Sequence, residues 1–187
     1  MNIIIFGPPG AGKGTQAKFL VKKLNGFQVS TGDMLRDEIK KDTEIGKKII
    51  NIMNDGKFVD DEIVNKLLEN IIFDPDKKDK LIFDGYPRTI NQIKNLENLL
   101  AKSKQTIKHI FFLNVGKDAI IKRIEKRKIL EKRSDDDEQT ILKRYDTYME
   151  NTKPVLDYYS KNKNFHEVDG AMEIADISSK IDQIIGV

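Results

Sequence analysis

The chain has 187 residues, of which 39% are hydrophobic, and this is enough apolar material for one well-packed core. Charged residues make up 34% of the sequence but nearly cancel to a net charge of +3, which excludes the basic excess of a nucleic-acid-binding protein. The sequence contains no cysteine, which excludes disulfide bonds and thiolate zinc sites and agrees with a reducing compartment.

The apolar segments of the sequence are all short. None approaches the ~20 residues that a membrane-spanning helix needs, so we expect no insertion into a membrane. A strand predicted to begin at residue 2 leaves no room for a presequence in the chain as given, and this favours a cytoplasmic protein.

The first predicted elements are a strand and the glycine-rich loop that follows it. Residues 3–6 form an apolar run, residues 7–15 read GPPGAGKGT, and apolar residues at helical spacing predict a helix from Lys13. Glycines let main-chain N–H groups converge on an anion, the helix N-terminus adds positive charge, and the Lys13 ammonium reaches the outer phosphates. The loop therefore predicts a phosphate-binding site. It has Gly14 where the general pattern has Ser or Thr, and the hydroxyl moves to Thr15.

Further along the chain, short apolar runs alternate with amphipathic segments, which is typical of an α/β protein. The predicted strands span residues 3–6, 27–30, 80–84, 107–114 and 165–168. Apolar residues at helical spacing predict helices around residues 63–72, 90–100, 141–152 and 174–184. Right-handed crossovers would join the strands into one parallel sheet that binds ligands at its carboxyl edge.

Two segments depart from this alternation. Residues 31–73 contain several predicted helices between two strands, and residues 127–134 form a charged break between two helices. Insertions at the ligand edge of a parallel sheet commonly form mobile covers, so we expect both segments to close over a bound ligand.

Asp84 ends the third predicted strand, which places its carboxylate beside the phosphate loop. Because Mg²⁺ keeps several water ligands and binds phosphates, we expect Asp84 to hold this ion through water, near Thr15 and the phosphates of a nucleotide. The two histidines, His109 and His166, fit no metal-ligand or nucleophile pattern, so we expect structural roles for them.

The phosphate loop and Gln16 together resemble the signature of adenylate kinases and the related nucleoside monophosphate kinases. Four further blocks agree with the family pattern: STGDMLR at 30–36, GKFV at 56–59, DGYPRT at 84–89 followed by Gln92, and RSDD at 133–136 followed by Arg144. The resemblance covers the whole chain. It implies one P-loop domain at residues 1–187, with three layers and a five-stranded parallel sheet of order 2-3-1-4-5. It also implies a monophosphate-binding subdomain at residues 30–59 and a short lid at residues 127–133.

The resemblance also assigns residues to the site by their position in these blocks. The implied ATP-binding residues are Gly10, Ala11, Gly12, Lys13, Gly14, Thr15, Arg123, Arg127 and Met172. The implied AMP-binding residues are Thr31, Arg36, Lys57, Phe58, Val59, Gly85, Tyr86, Pro87, Arg88, Gln92, Arg133 and Arg144. The residues implied to act in catalysis are Lys13, Arg88, Arg127, Arg133 and Arg144. A planar guanidinium binds two phosphate oxygens at once, which suits the arginines to this task.

The activity implied is a reversible, Mg²⁺-dependent transfer of the terminal phosphoryl group of ATP to AMP, which gives two molecules of ADP, by a monomer. A UMP/CMP kinase of the same family is the alternative. Thr31 and Gln92 resemble the adenylate kinase pattern, whereas uridylate-cytidylate kinases have Ala and Asn at these places. A GTPase switch protein is disfavoured because the sequence contains neither D-x-x-G nor N-K-x-D.

The lid is where the sequence departs from the longer adenylate kinases. Only residues 128–132 separate Arg127 from Arg133, whereas longer members insert a small subdomain there that carries zinc in some of them. Because this chain has no cysteine, we expect no zinc site.

Overall fold

The fold is built on a five-stranded parallel sheet. The computed structural model describes residues 1–131 and 138–187. Its strands are β1 (Asn2–Phe6), β2 (Phe27–Ser30), β3 (Leu81–Asp84), β4 (Ile107–Asn114) and β5 (Phe165–Asp169). Backbone pairing places them in the order β2-β3-β1-β4-β5, with every neighbouring pair parallel. The predicted strands and their order are confirmed.

Helices cover both faces of this sheet. In the described part of the chain they are α1 (Lys13–Leu24), α2 (Thr31–Lys40), α3 (Glu44–Asn54), α4 (Asp61–Ile72), α5 (Ile90–Lys102), α6 (Lys117–Glu131), α7 (Glu138–Tyr159) and α8 (Ile174–Ile185). A 3-10 turn, Pro75–Lys77, follows α4. Within residues 1–131 and 138–187, no helix combines the length and the apolar character that crossing a bilayer requires.

The central strand β1 is buried on both faces, and its side chains alternate between two apolar cores. Ile4 and Phe6 pack into the core beneath α4, α5 and the end of α7. Ile3 and Ile5 pack into the opposite core, which α1, α6 and α8 cover. This two-sided burial explains why β1 reads as a continuous apolar run rather than an alternating one.

The insertion between β2 and β3 contains α2, α3 and α4, which confirms the prediction of several helices in residues 31–73. Ser30 is both the last residue of β2 and the N-cap of α2, and its Oγ accepts a hydrogen bond from Asp33 N at 3.3 Å. A capping hydroxyl at the end of a strand starts the helix at once. The insertion therefore leaves the sheet at its carboxyl edge.

The predicted break at residues 127–134 is partly wrong. Helix α6 continues through Glu131, so residues 127–131 are helical rather than part of a loop. The segment RKILE contains no Gly or Pro, and its residues are compatible with a helix. The remainder of the predicted break, including Arg133, lies outside the described residues.

Asp84 occupies the position at which the phosphate loop and the insertion meet. It pairs in register with Ile5 of β1 on one side and with Ser30 of β2 on the other. The strands that lead into the phosphate loop and into α2 therefore flank this carboxylate, as expected for parallel strands that share a carboxyl edge.

Candidate active site

A cavity of about 690 Å³ opens at the carboxyl edge of the sheet. Its walls come from the phosphate loop, the ends of β2 and β3, the insertion, α6, α7 and the start of α8. Ligands of open parallel sheets bind at this edge, where loops from several strands converge.

The phosphate loop forms one wall of the cavity. Gly12, the N-cap of α1, has a left-handed conformation (φ 92°), and no side chain caps the first turn of the helix. N–H groups in a first turn have no intrahelical acceptor, so here they can bind an anion. Gly10 also has positive φ (77°), and a Cβ at this position would lie 2.8 Å from Ile124 Cγ1. Glycine at position 10 therefore lets the loop pack directly against α6.

Lys13 folds back over the loop. Its Nζ donates hydrogen bonds of 2.9 Å to the carbonyl oxygens of both Gly7 and Pro8. Burial lowers the pKa of Lys13 from 10.5 to about 7, with Asp84 opposing this shift and three arginines, Arg88, Arg144 and Arg127, adding to it. A cation crowded by other cations is stabilised when an anion binds between them.

Asp84 lies at the floor of the cavity and explains why the loop has Gly14. The Asp84 side chain is buried, and its Oδ2 accepts a hydrogen bond from Gln28 Nε2 at 2.9 Å. A Cβ at position 14 would lie 3.2 Å from the same Oδ2 atom, so the hydroxyl residue of the general pattern would crowd this carboxylate. Thr15, one residue further along, also lines the cavity.

The side-chain oxygens of Asp84 and Thr15 are too few to hold a metal ion by themselves, but they suit Mg²⁺, which takes its other ligands from phosphates and water. Among residues 1–131 and 138–187, no group of three or more His, Cys, Asp and Glu side chains could hold an ion. Mg²⁺ commonly binds through one carboxylate, substrate phosphates and water, and Asp84 and Thr15 are oxygen-bearing side chains that line this cavity.

The arginines concentrate in this cavity. The sequence has six arginines, and those that the structure describes all line the cavity: Arg36, Arg88, Arg123, Arg127 and Arg144. The lysines are far more numerous, and their lining members are Lys13, Lys18, Lys57 and Lys126. Since guanidinium groups bind phosphate in a two-pronged way, this distribution indicates a site for several phosphate groups.

Two of these arginines are anchored by backbone carbonyls. Arg88 Nε donates to the Gly85 carbonyl at 2.6 Å, and its Cζ lies 5.2 Å from the centroid of the Phe58 ring. Arg123 Nη1 donates to the Gly170 carbonyl at 2.7 Å, which ties α6 to the loop before α8. Such anchoring orients a long side chain before a ligand arrives.

One part of this cavity, which we call the recess, is lined by the insertion and by the start of α5. Thr31 is 5% exposed there, and its hydroxyl lies 3.4 Å from the Gly85 carbonyl oxygen that accepts its hydrogen bond. The Gln92 side chain accepts a hydrogen bond from Arg88 N at 2.7 Å and donates one to Asp61 Oδ1 at 2.5 Å. Apolar Val59 completes the wall.

The structure brings most of the sequence-predicted residues to this one cavity. Besides the residues described above, the lining includes Ala11, Lys57, Phe58, Pro87 and Met172. Tyr86 is different, because its side chain is fully buried and its hydroxyl lies 3.2 Å from the Gln92 carbonyl oxygen. Its side chain supports the start of α5 rather than the cavity wall. Arg133 lies outside the described residues.

Among the lining residues that escaped the sequence reasoning are Gln28, Tyr148 and Thr152. Gln28 lies two residues before Ser30 in β2, and the two-residue period of a strand places both on one face, which is a signal that could have identified it. Thr152 Oγ1 donates to the Arg88 carbonyl at 3.2 Å, and Tyr148 also lines the cavity. Tyr148 and Thr152 belong to no sequence motif, since only the packing of α7 brings these two residues to the cavity.

The two histidines lie away from this cavity and contact each other. His109 Nδ1 is 3.3 Å from His166 Nε2, across neighbouring strands β4 and β5. Burial lowers the pKa of both imidazoles. Their position agrees with the structural roles expected for them.

Comparison with known proteins agrees with this geometry. A family model described as "Adenylate kinase" matches residues 5–164 of the chain. An adenylate kinase of Pelagibacter ubique is 50% identical, and the alignment covers 100% of both chains. An adenylate kinase of Caulobacter is 40% identical over 100% of this chain and 99% of its own length. One from Thermosipho melanesiensis is 36% identical, with 99% of each chain covered.

Proposed function

The chain belongs to the adenylate kinase family and is therefore a phosphotransferase. We propose that its cavity binds Mg²⁺-ATP and AMP side by side and that the terminal phosphoryl group of ATP is transferred to AMP, which gives two molecules of ADP. The observation that carries this proposal is the set of arginines around Lys13, next to a recess lined by Thr31 and Gln92. The relatives compared above are all adenylate kinases, so nothing in the comparisons supports the UMP/CMP alternative.

ATP is assigned to the side of the cavity formed by the phosphate loop. Residues 10–15 would hold its phosphates, and Arg123, Arg127 and Met172, which line the same cavity, are assigned to its outer phosphates and its base. The hydrogen bond of Arg123 to the Gly170 carbonyl supports a position for this guanidinium beside the loop before α8.

AMP is assigned to the recess beside the insertion. Arg36 and Arg88 would grip its phosphate, with Lys57, Phe58, Val59, Gly85 and Pro87 around it. Gln92 and Thr31 would meet its base with both a hydrogen-bond donor and an acceptor. Arg144 lines the cavity as well, and Arg133 is assigned here from its motif alone.

The transfer requires alignment and charge neutralisation rather than a general base. The acceptor oxygen of AMP is already anionic, so no proton has to be removed before attack. Lys13, Arg88, Arg127, Arg133 and Arg144 would stabilise charge on the phosphoryl group as it moves in line between the two nucleotides. When bound, Mg²⁺ would neutralise phosphate charge, with Asp84 and Thr15 on its protein side.

Two covers would exclude water, which could otherwise accept the phosphoryl group. We assign residues 30–59 and 127–133 as these covers within a single domain of residues 1–187. Contacts of the insertion with α7 support this assignment: Thr140 Oγ1 donates to the Asn54 carbonyl at 3.0 Å. A Cβ on Gly56 would lie 3.0 Å from Arg144 Cγ, so the end of the insertion packs closely on α7. We also propose that the protein works as a monomer in the cytoplasm.

A panel of nucleoside monophosphates tests the function directly. Each monophosphate is mixed with Mg²⁺-ATP, and ADP formation that depends on the acceptor is measured. We expect AMP to be the preferred acceptor. Preference for UMP or CMP, or ATP hydrolysis that needs no acceptor, would contradict the proposal.

The base preference should depend on the two polar residues of the recess. Thr31→Ala combined with Gln92→Asn should raise the rate with UMP or CMP relative to AMP, because both changes remove groups that read adenine. An unpaired polar group in such a pocket costs about 1–3 kcal/mol, enough for a preference of roughly 10- to 100-fold. The ratio of kcat/KM values for AMP and UMP measures the effect, and an unchanged ratio would show that other residues choose the base.

Zinc should contribute nothing to this enzyme. A zinc-selective chelator with Mg²⁺ in excess should leave activity and the thermal unfolding temperature unchanged, because the chain has no thiolate ligands. Activity assays and thermal unfolding with and without the chelator measure this. A loss of either property that only zinc reverses would be inconsistent with the proposed site.

A further inference from the structure

Asp61, the first residue of α4, contacts the acceptor recess from behind. Its Oδ1 accepts a hydrogen bond from Gln92 Nε2 at 2.5 Å, and its Oδ2 accepts one from Thr89 Oγ1 at 3.1 Å. Asp61 is not among the residues that line the cavity, so it reaches a bound nucleotide only through Gln92.

The partners of Gln92 leave its side-chain amide with one orientation. Arg88 N lies 2.7 Å from Gln92 Oε1, and a backbone N–H can only donate. The ionised carboxylate of Asp61 can only accept, so it requires Gln92 Nε2 to face it. A flipped amide would place a donor against the Arg88 N–H and an oxygen against the carboxylate.

The backbone of Gln92 is also held in place. Its N–H donates to Thr89 Oγ1 at 3.1 Å, and its carbonyl oxygen lies 3.2 Å from the Tyr86 hydroxyl. The Tyr86 side chain is fully buried. The terminal amide is consequently the group whose orientation remains to be set, and Asp61 is one of the two groups that set it.

The orientation of this amide decides which purine it can read. With one lone pair and one N–H already used, Gln92 keeps one acceptor site on Oε1 and one N–H on Nε2. Adenine offers an amino donor and the N1 acceptor, which match these two groups, whereas hypoxanthine offers a carbonyl acceptor and an N1–H donor. The same two groups in the opposite orientation would suit hypoxanthine.

We propose that Asp61 is a positioning residue for acceptor selectivity: it holds the Gln92 amide in the orientation that accepts AMP and rejects IMP. This inference rests on the proposed use of AMP at the recess. It adds a residue of the insertion to the group that chooses the base.

The test compares AMP and IMP as acceptors for Asp61→Asn and for a matched control, Asp60→Asn. Asp60 is the neighbouring acidic residue and the exposed N-cap of α4, and it bonds to Glu62 N at 2.7 Å rather than to Gln92. Both variants remove one negative charge from the same helix terminus. We expect Asp61→Asn to lower the AMP/IMP ratio of kcat/KM by at least ~5-fold, chiefly through a higher KM for AMP, and Asp60→Asn to leave it unchanged.

A double mutant separates positioning from a general effect on the fold. In a Gln92→Ala background, Asp61→Asn should change the AMP/IMP ratio no further, because Asp61 acts through the missing amide. The inference would be overturned if Asp61→Asn kept the wild-type AMP/IMP ratio of kcat/KM, or if Asp60→Asn lowered this ratio as much as Asp61→Asn does. It would also be overturned if Asp61→Asn lowered the ratio further in the Gln92→Ala background. If Asp61→Asn does not fold, Asp61→Glu keeps the charge but displaces the carboxylate, and the same expectations apply.

The proposed function and this inference fail differently. If the wild-type protein does not use AMP, the proposed function itself is wrong. If it uses AMP while Asp61→Asn discriminates against IMP as the wild type does, only the role of Asp61 is wrong.

Discussion

Replacing Lys13 with Met should lower the rate of AMP-dependent ADP formation by at least ~100-fold while the protein still unfolds cooperatively. Met keeps much of the aliphatic length of lysine but removes the ammonium group that lies against the Gly7 and Pro8 carbonyls. One preorganised electrostatic donor to a transition state contributes on this scale. Steady-state kinetics at saturating ATP and AMP measure the loss in kcat, and thermal unfolding monitors the fold.

The difference in folding stability between this variant and the wild type should also depend on pH, because Lys13 titrates differently in the folded and unfolded wild type. Burial lowers the pKa of Lys13 to about 7 in the folded chain, against 10.5 for the ordinary side chain. Below pH 7 both states carry the proton, and the folded state bears the full cost of the buried charge. Between pH 7 and 10.5 the unfolded chain keeps its proton and the folded chain releases it, so wild-type stability rises with pH. Without ligand, Lys13→Met should therefore be more stable than the wild type near pH 7, and this advantage should vanish towards pH 10.5.

The control for both effects is Lys22→Met, on an exposed face of α1. It removes the same charge from the same helix and should leave turnover close to that of the wild type. If Lys13→Met does not fold, or if it forms ADP from AMP near the wild-type rate, the assignment of phosphoryl transfer to this loop is wrong.

Arg88→Lys should reduce kcat/KM for AMP by about 10- to 100-fold although the charge is kept. In the wild type, Arg88 Nε donates a hydrogen bond of 2.6 Å to the Gly85 carbonyl oxygen, and the guanidinium lies over the Phe58 ring. A lysine has one ammonium group and no planar fork, so it cannot keep this anchor and also hold two oxygens of the acceptor phosphate. Initial rates across a range of AMP concentrations separate the effects on KM and kcat.

The matched control is the reverse exchange at Lys94, which is exposed on α5. Lys94→Arg keeps the charge, lies outside the cavity and should not change AMP kinetics. Wild-type kcat/KM in Arg88→Lys would mean that charge alone suffices at this position and that the two-pronged grip is not needed.

The sequence by itself determined the α/β fold class and the phosphate loop. The apolar run of β1 and the spacing of GPPGAGKGT are local features, since a strand, a tight glycine turn and a helix start are encoded within a few consecutive residues. The STGDMLR and DGYPRT blocks located Arg36, Arg88 and Gln92 by position, because each of these two blocks joins the end of a strand to the start of a helix. Once β1, β2 and β3 lie side by side, Asp84 at the end of β3 pairs with Ile5 of β1 and with Ser30 of β2.

Only the tertiary structure decided how these residues meet. Gln28 and Asp61 carry no motif, and they matter because pairing of β2 with β3 and packing of α4 on α5 bring them to Asp84 and Gln92. Tyr86 lies within a motif, yet packing directs its side chain into the core rather than into the cavity. The sequence suggested a charged break after residue 126, whereas α6 extends to Glu131. Contacts between residues far apart in the chain depend on packing, which local pattern does not encode, and these contacts orient side chains of the described residues that line the cavity, such as Arg88 and Gln92.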